Sequence, residues 1–181
     1  RFVFIFVLFG AMLEVTGAGR FFIDLAFAAT GRQRGGPAKA AVLASASMGS
    51  ISGSAIANVV TTGAFTIPLM KKLGFRPAQA GGIEAAASTG GQIMPPLMGA
   101  GAFVMVTLTG IPYTSIIAAA LLPAILYFFA VWVGINAFAK QYQLRGLADE
   151  DRPRAREVAI TAGFFLLPFS VLIGLLLYTS D

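Results

Sequence analysis

The stretch from Ala40 to Met70 leaves one basic loop and returns to another, and nothing else in the chain constrains its fold as strongly. Arg32, Arg34 and Lys39 precede it, and Lys71, Lys72 and Arg76 follow it. In a membrane protein, short loops rich in Lys and Arg stay on the cytoplasmic side, so the segment must enter and leave on one side. It holds roughly 31 residues with Gly49, Ser50, Ser52, Gly53 and Ser54 at its centre, which gives each arm about 10 to 15 residues, or about 15 to 22 Å of helix. Such arms are too short to cross a ~30 Å hydrocarbon core and come back. The pattern predicts a re-entrant helical hairpin over 38–72. Its irregular tip lies at mid-membrane, buried in protein or facing a water-filled cavity, because lipid satisfies no backbone groups.

Composition places the chain in lipid. Hydrophobic residues make up 57% and charged residues 12%, against about 45 to 50% and about 25% in a soluble domain, and the mean hydropathy is +0.80. At roughly 20 residues per crossing, 181 residues accommodate about five crossings or re-entrant pieces. The chain opens at Arg1 straight into an apolar run, which reads as a cut through a membrane helix and marks a fragment. With no Cys and no His, disulfides, thiolate or imidazole metal sites and Ser-His or Cys-His catalytic pairs are excluded. The net charge of +5 does not indicate nucleic acid, because the basic residues sit in short loops between apolar segments.

The remaining segments follow from the same topology. Residues 1–19 are expected to hold the end of a transmembrane helix. Residues 20–31 are too few to span, and Phe21, Phe22, Leu25 and Ala29 share one face, so an interfacial helix is predicted. Residues 78–110 carry no basic residue and are interrupted by Gly90, Gly91, Gln92, Ile93, Met94, Pro95 and Pro96, where regular helix bonding cannot continue. They are expected to form a broken transmembrane helix. A crossing over 112–139 contains Pro123, a basic cytoplasmic loop spans 140–157, and a further crossing spans 158–178.

The two interruptions carry the candidate chemistry. The tip Gly49-Ser50-Ile51-Ser52-Gly53-Ser54 offers hydroxyls and unbonded carbonyls suited to a hard cation such as Na⁺, and the break at Gly90 to Pro96 frees carbonyls in the same way. Paired helix breaks at mid-membrane point to a transporter site, where N-terminal helix ends favour a substrate carboxylate and C-terminal ends a cation. Small residues also serve close helix packing, and a Pro pair also serves as a kink. Asn58, one turn past the tip, either orients the tip or bonds a neighbouring helix. Glu84, about two turns before the break, is either functional within the membrane or solvated near the cytoplasmic boundary. Glu14 and Asp24 read as surface or ion-pair residues, and Thr61, Thr62 and Thr66 as hydroxyls bonded back to their own helix.

At these residues the chain resembles the large membrane subunit of the tripartite ATP-independent periplasmic (TRAP) transporters, in the form fused to the small subunit. The resemblance runs from about Phe6 to Tyr142, through "FVLFGAMLEVTGAGRFFIDLA", "GGPAKAAVLASASMGSISGSAIANVVTTGAFTIPLMKKLGF" and "EAAASTGGQIMPPLMGAGAF". It implies an all-α membrane protein of the bacterial inner membrane, with an ion-transporter-superfamily-like repeat that contains the re-entrant hairpin and the broken helix. The chain would hold the first of two inverted repeats and the first helix of the second, with 20–31 as the arm helix. It further implies Na⁺-coupled, elevator-type import of an organic acid such as a C4-dicarboxylate, delivered by a periplasmic substrate-binding protein. The small-subunit portion of the same chain would be a second partner and the lipid bilayer a third. By the same resemblance the Na⁺ ligands are expected at Ser50, Ser52, Ser54, Gly91, Met94 and Pro96. The substrate contacts are expected at Ser52, Gly53, Ser54, Asn58 and Gln92. No enzymatic activity or enzymatic cofactor is expected: there is no His to serve as base for a Ser nucleophile, and no facing pair of membrane aspartates. "GRQRGGPAK" lacks the Gly-Lys-Ser/Thr of a phosphate-binding loop, which disfavours an ATP-driven importer. The competing reading is a channel or packing subunit that moves no substrate.

Overall fold

The computed structural model describes residues 15–144 together with Leu8, Met12, Gly146, Val158, Ser170, Val171 and Gly174. The expected helix end within 1–19, the loop over 140–157 and the crossing over 158–178 lie for the most part outside those residues, and Glu14 lies outside them. Among the described residues the chain is helical and has no strand, as expected of an all-α membrane protein.

Among the described residues six helices follow in order: α1 (Ala18–Thr30), α2 (Gly36–Ser52), α3 (Ala55–Lys72), α4 (Pro77–Gly90), α5 (Ala100–Thr109) and α6 (Tyr113–Gln141). Local chemistry sets most of the boundaries. Gly35 takes a left-handed turn at φ 66° and Pro37 stands in the first turn of α2, where its missing N–H costs nothing. Ser54 caps α3 by accepting a bond from the Ala57 N–H at 3.3 Å. Pro77 opens α4, and the Gln79 side chain accepts from the Arg76 N–H at 2.9 Å.

α2 and α3 form a helical hairpin joined by Gly53 and Ser54. The arms hold 17 and 18 residues, or about 26 Å each. They are longer than expected, because Gly35 and Pro37 start the first arm before Ala40. Arm length therefore does not by itself stop the hairpin at half depth. What positions its tip is contact with the break between α4 and α5.

α4 has 14 residues and α5 has 10, or about 21 Å and about 15 Å, so neither alone is long enough for a ~30 Å core. The hairpin tip docks at the break between them. Among the described residues α6 is the one helix long and apolar enough to cross a membrane, with 29 residues. Leu121, Leu122, Ile125, Leu126, Phe129 and Val133 leave much of its surface apolar and exposed.

α2 sits at the centre. On one side Ala18, Phe21 and Phe22 of α1 pack with Met48 and Ile51, and Ile23, Ala26 and Phe27 pack with Ala40 and Ala44. On the other side Ala38, Ala41 and Val42 join Met70 of α3, Ala80 and Ala87 of α4, and Phe128, Ile135 and Ala139 of α6. Small residues on every face of α2 permit this enclosure. On α1, partial burial pushes the Asp24 carboxyl up from its ordinary range, and Arg20 one turn earlier opposes that shift.

Lys39 departs from its expected place in a basic loop. It lies in the first turn of α2 and is only 5% exposed. Its Nζ donates to Gln33 Oε1 at 3.0 Å and to Asn136 Oδ1 of α6 at 3.1 Å, and sits 5.3 Å from the centre of the Trp132 ring. The first hairpin arm is thereby tied to α6 by a cation held on neutral oxygens and an aromatic face.

Candidate functional site

The two interruptions meet. α2 ends at Gly53, which turns left-handed at φ 60° and donates its N–H to Gly49 O at 2.9 Å. A Cβ on Gly53 would strike the backbone carbonyl of Met98, so the tip presses directly on the break. Leu97 N–H donates to Ser50 O at 3.3 Å. Gly49 and Gly91 lie backbone against backbone. Only residues without a side chain allow this approach, which explains why Gly stands at each point.

Within the break the helix tightens before it ends. Gln92, Ile93 and Met94 donate their N–H groups to the carbonyls of Thr89, Gly90 and Gly91 at 3.2 to 3.3 Å, three residues back rather than four. Pro95 and Pro96 then supply no donor, and the peptide between them is cis. Gly99 N–H closes the loop onto Gln92 O at 2.7 Å. From the start of α6, the Tyr113 hydroxyl reaches the carbonyl oxygens of Pro96 at 2.7 Å and Leu97 at 3.0 Å. Sequence reasoning did not single out Tyr113, and a lone aromatic at a helix start carries no signal for it.

Four helix ends converge here. The C-terminal ends of α2 and α4 bring carbonyls with partial negative charge, and the N-terminal ends of α3 and α5 bring N–H groups with partial positive charge. Such an arrangement can hold a small cation near the first pair and a carboxylate near the second.

The predicted residues occupy this region in different ways. Ser50 is buried, and its hydroxyl donates back to Ser47 O at 2.7 Å. Ser52 Oγ accepts from the Ser54 N–H at 3.4 Å, and Ser54 is exposed as the cap of α3. Gly53 and Gly91 are the contact points just described. Gln92 is exposed at the break. Met94 packs its side chain on the core that α2, α4 and α6 share, leaving its backbone to the loop. The Pro96 carbonyl takes the Tyr113 bond and keeps a second lone pair. Asn58 is fully buried: its Nδ2 donates to Ser45 O of the first arm at 2.8 Å, while Oδ1 has no partner among the described residues.

Asn58 leads into a polar cluster between the hairpin and α4 that the sequence reading did not assemble. Glu84 is not solvated at a boundary; it is completely buried. Its carboxyl is bonded by Thr62 and Thr66 of α3 and by Ser88 of its own helix, the last at 3.2 Å. Thr62 and Thr66 do bond back to Asn58 O at 2.7 Å and Thr62 O at 3.0 Å, as expected, but both also reach Glu84. Ser45 Oγ stands 3.5 Å from both the Thr62 and the Ser88 hydroxyl.

A family model described as the DctM component of the tripartite ATP-independent periplasmic transporter matches residues 1–180. The chain belongs to this DctM family. An uncharacterized protein, y4mL, of Sinorhizobium fredii is 31% identical over 168 residues, covering 90% of this chain and 38% of that protein. The C4-dicarboxylate TRAP transporter large permease protein DctM of Pseudomonas aeruginosa is 41% identical over 91 residues, covering 50% of this chain and 21% of that protein. The 2,3-diketo-L-gulonate TRAP transporter large permease protein YiaN of Escherichia coli is 32% identical over 91 residues, again 50% of this chain and 21% of that protein. The chain thus spans well under half the length of these DctM relatives.

Proposed function

We propose that this chain supplies one half of the ion and substrate site of a Na⁺-coupled permease in the bacterial inner membrane, which imports an organic acid handed over by a periplasmic binding protein. The observation that carries this reading is the docking of the hairpin tip on the helix break through Gly53 against Met98 and Gly49 against Gly91. Backbone oxygens released from helical bonding within a membrane need a partner, and a hard cation is a suitable one. The oxygens of Ser50, Ser52, Ser54, Gly91, Met94 and Pro96 form the candidate cation set. Ser52, Gly53, Ser54, Asn58 and Gln92 form the candidate contacts for the acid.

Two of the relatives bear names that specify organic acids, a C4-dicarboxylate and 2,3-diketo-L-gulonate, and this supports an acid as the class of cargo here. Alternating access by an elevator movement fits a hairpin and half-helix that pack on each other as one unit. The small-subunit portion of the protein and the lipid bilayer complete the proposed surroundings.

The test is uptake into proteoliposomes by the full-length permease with its small-subunit portion and binding protein. Ser52→Ala combined with Pro95→Ala is expected to abolish the Na⁺ dependence of uptake while leaving the protein inserted. Unchanged Na⁺ dependence would remove the site from this loop pair. Uptake that never saturates would favour a channel.

A further inference from the structure

Glu84 lies outside the tip and the break, and neither feature uses it. Its side chain is enclosed by the chain itself, with 0% exposure, so no additional segment or subunit can reach the carboxyl in this packing. The elements around α4 hold few ionisable groups: Lys39 on α2, Lys71 and Lys72 at the end of α3, and Tyr113, Tyr127 and Lys140 on α6. None of these bonds the carboxyl. Its partners among the described residues are the hydroxyls of Thr62, Thr66 and Ser88. An ionised carboxylate removed from water without a counter-charge is strongly disfavoured, and such a group neutralises instead.

Counting protons leads to the same place. Each threonine hydroxyl has one proton to donate. Thr62 Oγ1 faces two acceptors, the Asn58 carbonyl at 2.7 Å and the Glu84 carboxyl. Thr66 Oγ1 likewise faces the Thr62 carbonyl at 3.0 Å and the other Glu84 oxygen. An ionised Glu84 only accepts, so Thr62 and Thr66 would each leave one oxygen pair without a hydrogen between them. A proton on Glu84 removes the conflict at Thr62: Glu84 donates to Thr62, Thr62 donates to Asn58 O at 2.7 Å, Thr66 and Ser88 donate to Glu84, and the longer Thr66 to Thr62 O pair at 3.0 Å is the one left without a hydrogen.

We propose that Glu84 is a proton-binding site, built between the second hairpin arm and the first half of the broken helix and separate from the tip oxygens. The ligand is a proton held by the carboxyl, whose O–H donates to Thr62, which donates in turn to the Asn58 carbonyl. Binding it leaves the hairpin and α4 packed as a neutral unit. Release requires α3 to part from α4, because the site has no opening to solvent. The proton therefore travels with the hairpin and α4 rather than exchanging while they stay packed.

The test is infrared spectroscopy of the full-length protein in lipid nanodiscs, with ¹³C-labelled glutamate side chains, comparing wild type with Glu84→Gln at neutral pH. A protonated-carboxyl C=O band present in wild type and lost in Glu84→Gln is expected. The melting temperature of wild type should also fall relative to Glu84→Gln as pH rises, since folding retains a proton that the unfolded chain releases. If Glu84→Gln does not assemble, Ser88→Ala is expected to shift the band in an otherwise native protein, because Ser88 bonds the same carboxyl. A carboxylate band alone, a band that Ser88→Ala leaves in place, or equal pH dependence in wild type and Glu84→Gln would overturn the proposal.

Discussion

Gly49 of the first hairpin arm and Gly91 of the helix break meet without a side chain between them: a Cβ on Gly91 would stand 2.9 Å from the Gly49 Cα and 2.9 Å from Asn58 Nδ2. Backbone cannot yield as a flexible side chain can. Gly91→Ala is therefore expected to destabilise the full-length protein by about 1 to 3 kcal/mol, the usual cost of overpacking. Gly101→Ala in α5, where a Cβ meets nothing within 4 Å, should be neutral or gain up to about 1 kcal/mol from helix propensity. Thermal unfolding in detergent compares the two, and equal melting temperatures would deny the contact.

Gly53 and Gly110 both turn left-handed, at φ 60° and 68°. Alanine at either pays the backbone cost of that conformation, roughly 1 kcal/mol. Only at Gly53 does the added Cβ also strike Met98 O, whereas around Gly110 the space is open. Gly53→Ala is expected to lower both stability and uptake well beyond Gly110→Ala. Matched losses would mean that the tip does not bear on the break.

Tyr113→Phe removes the hydroxyl from the Pro96 and Leu97 carbonyls while keeping the ring, which stacks on Phe103 with centroids 5.0 Å apart. A loss of about 0.5 to 1.5 kcal/mol is expected, the net worth of one such bond. The break should also become more open to hydrogen exchange at Leu97 and Met98, which mass spectrometry can follow. No change in exchange would show that α6 does not hold the loop.

Lys39 depends on Asn136 for one of its two side-chain acceptors. Asn136→Leu is expected to cost about 1 to 3 kcal/mol by leaving a buried ammonium under-bonded. Adding Lys39→Met should recover part of that loss, because the orphaned charge goes too. A double-mutant cycle on melting temperature measures the coupling, and strict additivity would rule out the tie.

The hairpin turn and the helix break were legible because Gly and Pro act locally: Gly53 ends α2 by its own φ, and Pro95 and Pro96 remove donors wherever they fall. The long apolar helix α6 was legible from an extended apolar run. Glu84 was not, because α4 is mostly Ala, Gly, Ser and Thr, with no apolar stripe to say which face turns inward. A distance along the chain to the nearest loop was then the only guide to its solvation. Lys39 misled for a related reason: positive charge near a loop signals topology, yet its neighbours Gln33, Trp132 and Asn136 come from distant parts of the sequence. The docking of the tip on the break was not legible, because a contact between Gly49 and Gly91 leaves no periodic trace.

Cysteine accessibility tests the same-side hairpin most directly. In a cysteine-free background of the full-length protein, Arg34→Cys and Lys72→Cys lie at exposed positions flanking the hairpin, and Ile111→Cys lies exposed beyond α5. A membrane-impermeant thiol reagent should label positions 34 and 72 from the cytoplasmic face and position 111 from the opposite face. Labelling of 34 and 72 from opposite faces would contradict the account.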